Sequence, residues 1–301
     1  MINSFAKNKY YSQYGEDGIV EEILSRINQK VSIDKWCSEF GAWDGVYLSN
    51  TCYFIKEKKY KAVLIEGDKK RVEDLKKNFQ SEDVQKINRF VSFDGENSLD
   101  SIFSETKIPI NFDFLSIDVD GVDYYIFESL KKYKPKIICI EFNPSIPNSV
   151  DYVQPKDMKL KYGNSAKALL RLAHKKNYSL AASTNCNLIF VHNNYFKYIG
   201  TSEPTLNKIN PGGIQEICIF SAYDGTILSN SEFIRLGWHG LEVPIKTKLQ
   251  FLPKFMRKFF GDYGLLRRLF FIIYITIRLP KLIIKNKKNA LKILSDIFKK
   301  K

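Results

Sequence analysis

The first group of residues with the chemistry of a binding site is the segment 39–45, which reads Glu-Phe-Gly-Ala-Trp-Asp-Gly. Its glycines, Gly41 and Gly45, allow the backbone to approach a ligand without an intervening Cβ. A dinucleotide site would instead show G-x-G-x-x-G and present amide donors to a pyrophosphate. Glu39 and Asp44 would repel a pyrophosphate, so the segment suits a ligand that carries an ammonium and a sulfonium and no phosphate. S-adenosylmethionine (SAM) is such a ligand, and all four residues are predicted to contribute to its binding.

Two further acids extend this predicted donor site. Glu66 lies 21 residues beyond Gly45, close to the spacing of about 20 at which a strand-end acid binds ribose hydroxyls in nucleotide-binding folds. Asp94 follows the next apolar run, where a carboxylate can accept a hydrogen bond from an adenine amino group. A solvated loop carboxylate explains Asp94 alone equally well. Acids at three successive strand ends, however, together predict a donor site.

The segment 115–123, Leu-Ser-Ile-Asp-Val-Asp-Gly-Val-Asp, places several acids at one strand end. Alternate residues of a strand share a face, so Asp118 and Asp120 are expected side by side. Two acids side by side are energetically unfavourable unless they are solvated, bound to a cation or functional. Capping of the following helix is the alternative, and it suits Asp123 better than Asp118. Asp118 and Asp120 are therefore the candidate general bases for a hydroxyl proton, and Asp118 is also a candidate donor contact.

The next apolar run ends in Glu141, and Asn143 follows it. Both are predicted to bind the substrate, because they reach the same edge of the sheet as Asp118. No histidine or further ligand stands at an obvious metal-binding spacing nearby, so the sequence favours a site without a metal.

The elements that position these residues alternate between short apolar runs and helical patterns. Alternation of this kind predicts βαβ units and hence a parallel sheet with right-handed crossovers. Two final runs, 178–183 and 187–192, are joined by a short turn, which favours an antiparallel hairpin. The prediction is an α/β, Rossmann-like, mostly parallel sheet that ends in a hairpin, as in class I methyltransferases. Predicted strands cover 36–43, 62–66, 89–93, 112–119 and 136–142, and predicted helices cover 16–27, 50–58, 69–80, 98–105, 124–133 and 165–176.

Five of these segments, in the same order, resemble the FkbM-type methyltransferases. They are 12–17, 39–45, 66–68, 117–123 and 140–141, and the similarity extends over roughly residues 10–195. Many members of that family have glutamate at the positions of Asp120 and Asp123 and aspartate at that of Glu39, so the differences preserve charge. The resemblance implies a class I fold, SAM as the methyl donor, and usually a hydroxyl acceptor on a sugar, polyketide or glycoconjugate.

The chain has three histidines, His174, His192 and His239. His239, in Gly-Trp-His-Gly, is a candidate base supplied from the C-terminal side. His192 follows a predicted strand that would bring it to the edge carrying the acids, and His174 falls in an apolar helix where packing explains it. A structural role is the alternative for each.

The excess positive charge of the chain, +14, is confined to its end. Residues 246–301 carry 16 Lys and Arg and 2 acids, whereas residues 1–245 carry 31 of each. Bulky apolar residues interleaved with these cations predict an amphipathic helical tail on an anionic membrane surface. The apolar stretch 269–277 is too short to span a bilayer, which needs about 20 residues. Packing of the tail on its own domain, or dimerisation through it, is the alternative.

Two domains are therefore predicted. Residues 1–245 form the methyltransferase domain, with a helix at 16–27, a core sheet over 36–193 and an irregular segment at 194–245, and residues 246–301 form the tail. The five cysteines lack any C-x-x-C pair, and residues 1–14 lack an apolar stretch. These features predict a reducing compartment and no signal peptide. The expected location is cytoplasmic, on the inner face of the cell membrane.

The predicted activity is SAM-dependent O-methylation of a sugar hydroxyl in a surface glycan or glycolipid. A second interpretation takes Asp118-Val119-Asp120 as the D-x-D of a glycosyltransferase that uses a metal and a nucleotide sugar. The acids of the segment 39–45, however, are unsuited to a diphosphate. A third is a catalytically inactive, membrane-docked member of the fold. The abundance of aliphatic residues in the tail argues against a nucleic-acid partner, and the sequence leaves the oligomeric state open.

Overall fold

The computed structural model describes residues 2–209, 217–221, 227–236, 239–244, 254–256 and 263–278 of the 301-residue chain. The chain divides into two compact units, Met1–Ile214 and Gln215–Lys301. This division falls inside the segment 194–245, which the sequence predicts to belong to the first domain. Residues 279–301 of the predicted tail lie outside the described residues.

The first unit is built on a seven-stranded sheet in the order β3-β2-β1-β4-β5-β7-β6. The first five strands run parallel, and β7 pairs antiparallel with both β5 and β6. This order and the single reversed strand confirm the predicted class I methyltransferase sheet. The strands are β1 (Trp36–Phe40), β2 (Lys61–Glu66), β3 (Val84–Asn88), β4 (Phe114–Ile117), β5 (Ile137–Glu141), β6 (Tyr178–Ser183) and β7 (Asn187–His192).

Helices cover both faces of this sheet, because its central strands are apolar on both sides. Alternate residues of β2 show the division: Val63 and Ile65 belong to one buried cluster, and Ala62 and Leu64 to the other. Helices α4, α5 and α6 pack on the first face, and α1, α2 and α3 on the second. The helices of this unit are α1 (Glu16–Asn28), α2 (Cys52–Lys56), α3 (Lys69–Asn78), α4 (Leu99–Ser104), α5 (Asp123–Ser129), α6 (Ala166–Lys175), α7 (Asn193–Phe196) and α8 (Leu206–Ile209).

Several helices begin where a side chain accepts backbone N–H groups of the first turn. Asp68 accepts from the amides of Lys70 and Arg71 at the start of α3. Ser98 and Ser165 do the same for α4 and α6. These caps satisfy donors that the helix itself leaves unpaired.

The predicted third strand, 89–93, is wrong, because β3 ends at Asn88. Pairing with β2 decides its position: residues 62–66 of β2 pair in register with 84–88. Val84 is buried, but the strand lies at the edge of the sheet and is otherwise only partly covered. Its polar residues therefore hide it from a search for apolar runs, whereas Phe90, which the prediction included, is exposed.

The second unit contains two hairpins within the segment predicted to be irregular. β8 (Ile219–Ser221) pairs with β9 (Ile227–Ser229), and β10 (Phe233–Leu236) pairs with β11 (Leu241–Pro244). A further helix, α9 (Leu265–Arg278), places Phe271 and Ile275 in a small buried cluster with Leu241, Val243, Met256 and Tyr263. None of the helices in the described part of the chain is long and apolar enough to cross a membrane.

Candidate active site

The predicted site residues of the first unit lie at one edge of its sheet. The parallel strands β1, β2 and β5 carry Glu39, Glu66 and Glu141 at or next to their carboxyl ends, and Asp118 directly follows β4. Carboxyl ends of neighbouring parallel strands form the edge at which open α/β sheets bind ligands. Burial raises the pKa of Asp118, and the charges of neighbouring acids, Glu39 at the end of β1 among them, raise it further.

The turn after β1 packs tightly against the end of β4. Gly41 adopts φ 71°, and a Cβ at this position would lie 2.2 Å from the backbone oxygen of Asp118. Gly45 adopts φ 73°, and a Cβ there would lie 2.5 Å from the ring of Phe79. Glycine is therefore required at both positions, by the left-handed backbone and by the space.

Glu66 joins the first turn to the end of β2. One carboxylate oxygen accepts the backbone N–H of Trp43, and the other accepts that of Asp68, both at 2.8 Å. The side chain is buried. Each oxygen has a second lone pair for a ligand hydroxyl. Asp44 stabilises the turn in a similar way, since it accepts the amides of Val46 and Tyr47.

Glu39 is committed to the start of α2. Its carboxylate accepts hydrogen bonds from Ser49 Oγ at 2.5 Å, from Thr51 Oγ1 at 2.7 Å and from the backbone N–H of Asn50 at 2.9 Å. Burial raises the pKa of Glu39, against the opposing effect of these hydrogen bonds. Its direct contact with a methyl donor stays a prediction, and the observed contacts give it a part in holding the loop that follows the turn.

Exposed aromatic side chains surround the first two strand ends. Trp43, in a left-handed conformation, stacks on the guanidinium of Arg71 at 4.2 Å, and its ring meets that of Tyr47 edge to face. Phe90 is 72% exposed and lies over Gly67, where a Cβ would come within 2.2 Å of its ring. The sequence indicates the first of these rings through its place between the two glycines, but nothing in it singles out Phe90.

Asp94 does not end a strand as predicted, because β3 stops six residues earlier. It is exposed, and Ser92 Oγ donates to it at 3.3 Å. The residue at the end of β3 is Asn88, whose amide donates to the backbone oxygens of Glu66 and Gly67. Binding of adenine by Asp94 stays a prediction.

The second part of the edge is a cluster of three carboxyl groups, Asp118, Asp120 and Glu141. One oxygen from each lies within 4.8 Å of those from the other two. Asp118 and Glu141 lie side by side, because the ends of β4 and β5 are paired in register. Burial, and then the charges of neighbouring acids, hold the pKa values of both well above their usual range. The two predicted bases are thus brought together with a predicted substrate contact.

Asp123 holds the turn that presents these acids. It is buried, and its two oxygens accept the backbone N–H groups of Val119 at 3.0 Å and Gly121 at 2.8 Å. Burial raises its pKa to about 6. Asp120 adopts φ 56° within the same turn. The acid-Gly-acid motif therefore contains two acids of the carboxyl cluster and a third acid, Asp123, that holds the turn.

The long loop after β5 covers this turn. Asn164 donates to the backbone oxygen of Gly121 at 2.7 Å, and Lys161 donates to that of Val119 at 2.7 Å. The side-chain amide of Asn143 forms hydrogen bonds within the loop: its oxygen accepts the N–H of Ser145, and its nitrogen donates to the backbone oxygen of Tyr162. Its predicted contact with substrate is untested, and the observed role is to shape the loop.

The N-terminal segment 12–17 closes the same edge. Asp17 is buried and accepts the backbone N–H groups of Tyr10, Tyr11 and Ser12. Glu16 is also buried and accepts from Thr184 Oγ1 at 2.6 Å and Asn187 Nδ2 at 3.1 Å. Asp17 thus holds the N-terminal segment in its own conformation, and Glu16 fixes it to the turn between β6 and β7.

The histidines of the first unit lie away from this cluster. His192 ends β7, and because β7 runs antiparallel, that end lies at the opposite edge, beside the start of β5; its predicted position at the acidic edge is wrong. It caps α7 through Nδ1, and His174 bonds Glu203 at 2.6 Å. His239 belongs to the second unit, where it contacts the rings of Tyr263 and Phe271 and burial lowers its pKa. Its role as a base stays a prediction.

No protein-family model matches the chain, and neither does any curated protein. Among solved structures, the chain is similar to the CMeT domain of the citrinin polyketide synthase, with 8% identity, a TM-score of 0.39 and coverage of 64% of this chain and 55% of that one. A SAM-dependent methyltransferase from Aquifex aeolicus shows 13% identity, a TM-score of 0.35 and coverage of 57% and 88%. M. jannaschii TYW2 in complex with AdoMet shows 11% identity, a TM-score of 0.33 and coverage of 57% of this chain and 75% of that one.

The first of these matches spans little more than half of the matched protein. At such low identities and TM-scores they carry no argument about this chain, and its fold assignment rests on its own strand order. That order defines the class I methyltransferase fold.

Proposed function

We propose that the protein is a SAM-dependent O-methyltransferase. The observation that carries the proposal is the link from Glu66 to the turn 41–45, which joins the first two strand ends of a class I sheet. Class I sheets bind their ligand at this edge.

The residues present fit SAM by their chemistry. The two strand ends offer carboxylates and exposed rings, of Trp43 and Phe90, instead of the glycine-rich amide nest that binds a diphosphate. Glu66 retains lone pairs for ribose hydroxyls, and the acidic surroundings favour a ligand with a net positive charge. When bound, SAM supplies a methyl group on an activated sulfonium.

The acid cluster supplies the remaining requirement of O-methylation, a group that takes the hydroxyl proton. As the carbon–oxygen bond forms and the carbon–sulfur bond of the donor breaks to release S-adenosylhomocysteine, the proton of the acceptor hydroxyl would pass to an ionised oxygen of Asp118 or Asp120. The raised pKa of Asp118 makes its ionised form a stronger base than an ordinary carboxylate. The turn held by Asp123 and the loop carrying Asn164 orient the cluster, and such alignment can lower the barrier by several kcal/mol.

The acceptor class follows from the resemblance to the FkbM-type methyltransferases, which the motifs at 12–17, 39–45 and 117–123 carry. We propose a sugar hydroxyl of a glycan or glycolipid as the acceptor. Two other interpretations remain to be tested: a D-x-D glycosyltransferase, against which the acidic first turn argues, and an inactive member of the fold.

We further propose that the second unit attaches the enzyme to the inner face of the cell membrane. Helix α9 exposes Leu266, Phe270, Ile273 and Ile277, which recur at intervals of four, three and four and so share one face. Its buried residues, Phe271 and Ile275, lie on another face. Arg267, Arg268 and Arg278 supply positive charge on the same helix. An apolar stripe flanked by arginines is typical of a helix that lies in an anionic membrane surface.

Isothermal titration calorimetry tests the activity class directly. We expect the full chain to bind SAM and S-adenosylhomocysteine and not to bind UDP-sugars in the presence of Mn²⁺. Binding of a UDP-sugar without SAM would support the glycosyltransferase, and binding of neither would support the inactive fold.

A further inference from the structure

We propose that Asp118, Asp120, Glu141 and Asn187 hold a hard divalent cation, Mg²⁺ or Mn²⁺, at the acceptor end of the site. The role of this cation in catalysis rests on the proposed methyl transfer, but its binding does not. None of these four residues takes part in the hydrogen bonds by which Glu66 holds the turn 41–45.

The three carboxyl groups have the spacing of a cation site. Their oxygens lie within 4.8 Å of one another. Oxygen ligands lie about 2.0–2.6 Å from Mg²⁺ or Ca²⁺, so two of them on opposite sides of one ion are about 4–5 Å apart. One ion therefore fits between all three residues. The strand register brings about this spacing, because Ile117 of β4 pairs with Ile140 of β5 and the next residues along are Asp118 and Glu141.

A buried amide oxygen independently indicates a cationic ligand. Asn187 is directly opposite Glu141 in the antiparallel pair of β5 and β7, so the two side chains lie beside one another on the same face. The side chain is 3% exposed, and its Oδ1 has no hydrogen-bond partner among the described residues. Its Nδ2 donates to Glu16 Oε1 and to Cys186 Sγ, which fixes the orientation of the amide.

An unpaired buried acceptor is unfavourable by about 1–3 kcal/mol, and an amide oxygen is a ligand that hard cations accept. Asp118 belongs to this same face, because it lies four residues beyond Phe114 and alternate residues along a strand share a face. Phe114 packs in the buried cluster that also contains Cys139 and Ile189. The unpaired oxygen of Asn187 therefore belongs to a side chain on the same face of the sheet as Glu141 and Asp118.

The donor set selects a hard ion. Its members are carboxylate and amide oxygens, which suit Mg²⁺, Mn²⁺ and Ca²⁺ and not the softer Zn²⁺. A bound cation would also offset the mutual repulsion of three carboxylates held this close together.

In the proposed reaction the cation would bind and activate the acceptor hydroxyl. A hydroxyl bound to it loses its proton more readily, because the positive charge stabilises the alkoxide. The oxygen would use its electron pair for the bond to the methyl carbon while the carbon–sulfur bond of the donor breaks and S-adenosylhomocysteine leaves. The hydroxyl proton would pass to a carboxylate of the cluster or to water. The same cation would orient the hydroxyl toward the donor.

Binding of Mn²⁺ to the full chain is the test, measured after removal of metals with EDTA and dialysis. Electron paramagnetic resonance and calorimetry should both show one Mn²⁺ per chain, displaced by excess Mg²⁺, and the cation should raise the melting temperature. Glu141→Gln and Asp120→Asn should each weaken binding by about 10- to 100-fold or more, the range reported even for groups that only support a metal ligand. Asn187→Leu should weaken it less. Glu73→Gln, an exposed acid on α3, is the matched control and should leave binding unchanged.

Absence of Mn²⁺ binding, or binding that survives both carboxylate substitutions, would overturn the proposal. If Glu141→Gln does not fold, Asp120→Asn in the partly exposed turn decides the result. SAM affinity measured in EDTA keeps the two proposals apart. SAM binding without Mn²⁺ binding removes only the cation site, and Mn²⁺ binding without SAM binding removes only the proposed methyltransferase.

Discussion

Replacement of Glu66 by alanine is the most direct test of the donor site. The carboxylate bridges the N–H groups of Trp43 and Asp68 at 2.8 Å and would also accept from the ribose of SAM. A hydrogen bond to a charged group contributes about 1.5–3 kcal/mol. Loss of one ribose contact should therefore raise the Kd for SAM by about 10- to 150-fold, at about 1.4 kcal/mol per factor of ten. Loss of the Trp43 anchor acts in the same direction, because it frees the first turn.

Calorimetric titration of SAM into the purified protein measures this effect. Glu66→Gln keeps the shape of the side chain but retains one acceptor oxygen, so its Kd should lie between those of the wild type and Glu66→Ala. Glu73→Gln, which removes an exposed acid of similar charge, should bind SAM as the wild type does. Equal SAM affinity of the wild type and a folded Glu66→Ala protein would refute the assignment of the donor site.

Four further outcomes follow from the same contacts. Asp118→Asn should lower the release of S-adenosylhomocysteine with acceptor present by about 10²–10⁴-fold, the usual contribution of a general base, while SAM affinity measured by calorimetry changes little. Gly41→Ala should lower the free energy of unfolding in urea more than Gly95→Ala does, because both have positive φ but only Gly41 meets a backbone oxygen at 2.2 Å. The raised pKa of Asp123, about 6 against 3.8, means that the folded state binds its proton more tightly than the unfolded one. Its contribution to stability is complete below about pH 4 and is lost as the pH rises through 6, so Asp123→Asn should flatten the pH dependence of the melting temperature in that window. A double variant with serine in place of both Leu266 and Ile277 should cosediment less with anionic liposomes and bind SAM unchanged. Unchanged cosedimentation would contradict the membrane role of α9.

Much of the fold is determined by local sequence. The apolar runs of β1, β2, β4 and β5 are buried on both faces, and such runs separated by helical patterns specify a parallel sheet. The short turn between β6 and β7 specifies their antiparallel pairing, and both predicted strands match the observed bounds. Amphipathic periodicity specifies α1, whose apolar residues are all buried: Ile19, Val20, Ile23, Leu24 and Ile27. In each case the signal lies within a few residues of the element that it describes.

The edge strand and the second unit show where that signal fails. β3 contains polar residues at an edge, and its position follows from pairing with β2. The hairpins β8–β9 and β10–β11 are only three or four residues long in each strand. Strands this short have too little periodicity to be recognised in the sequence, and only their hydrogen-bonded pairing identifies them.

The types of site residue were determined by the sequence, and their division of labour was decided by the tertiary structure. The motifs alone identify Glu39, Glu66, Asp118 and Glu141 as acids at strand ends. Only the fold shows that Glu39 is bound to the start of α2, because its partners lie in the segment 49–51. Only the register of three strands brings Glu141 and Asn187 beside Asp118, across separations of 23 and 69 residues in the chain. The direction of β7 removes His192 from the same edge. Spacing along one chain does not encode which distant strands become neighbours, and that pairing sets the chemistry of the cluster.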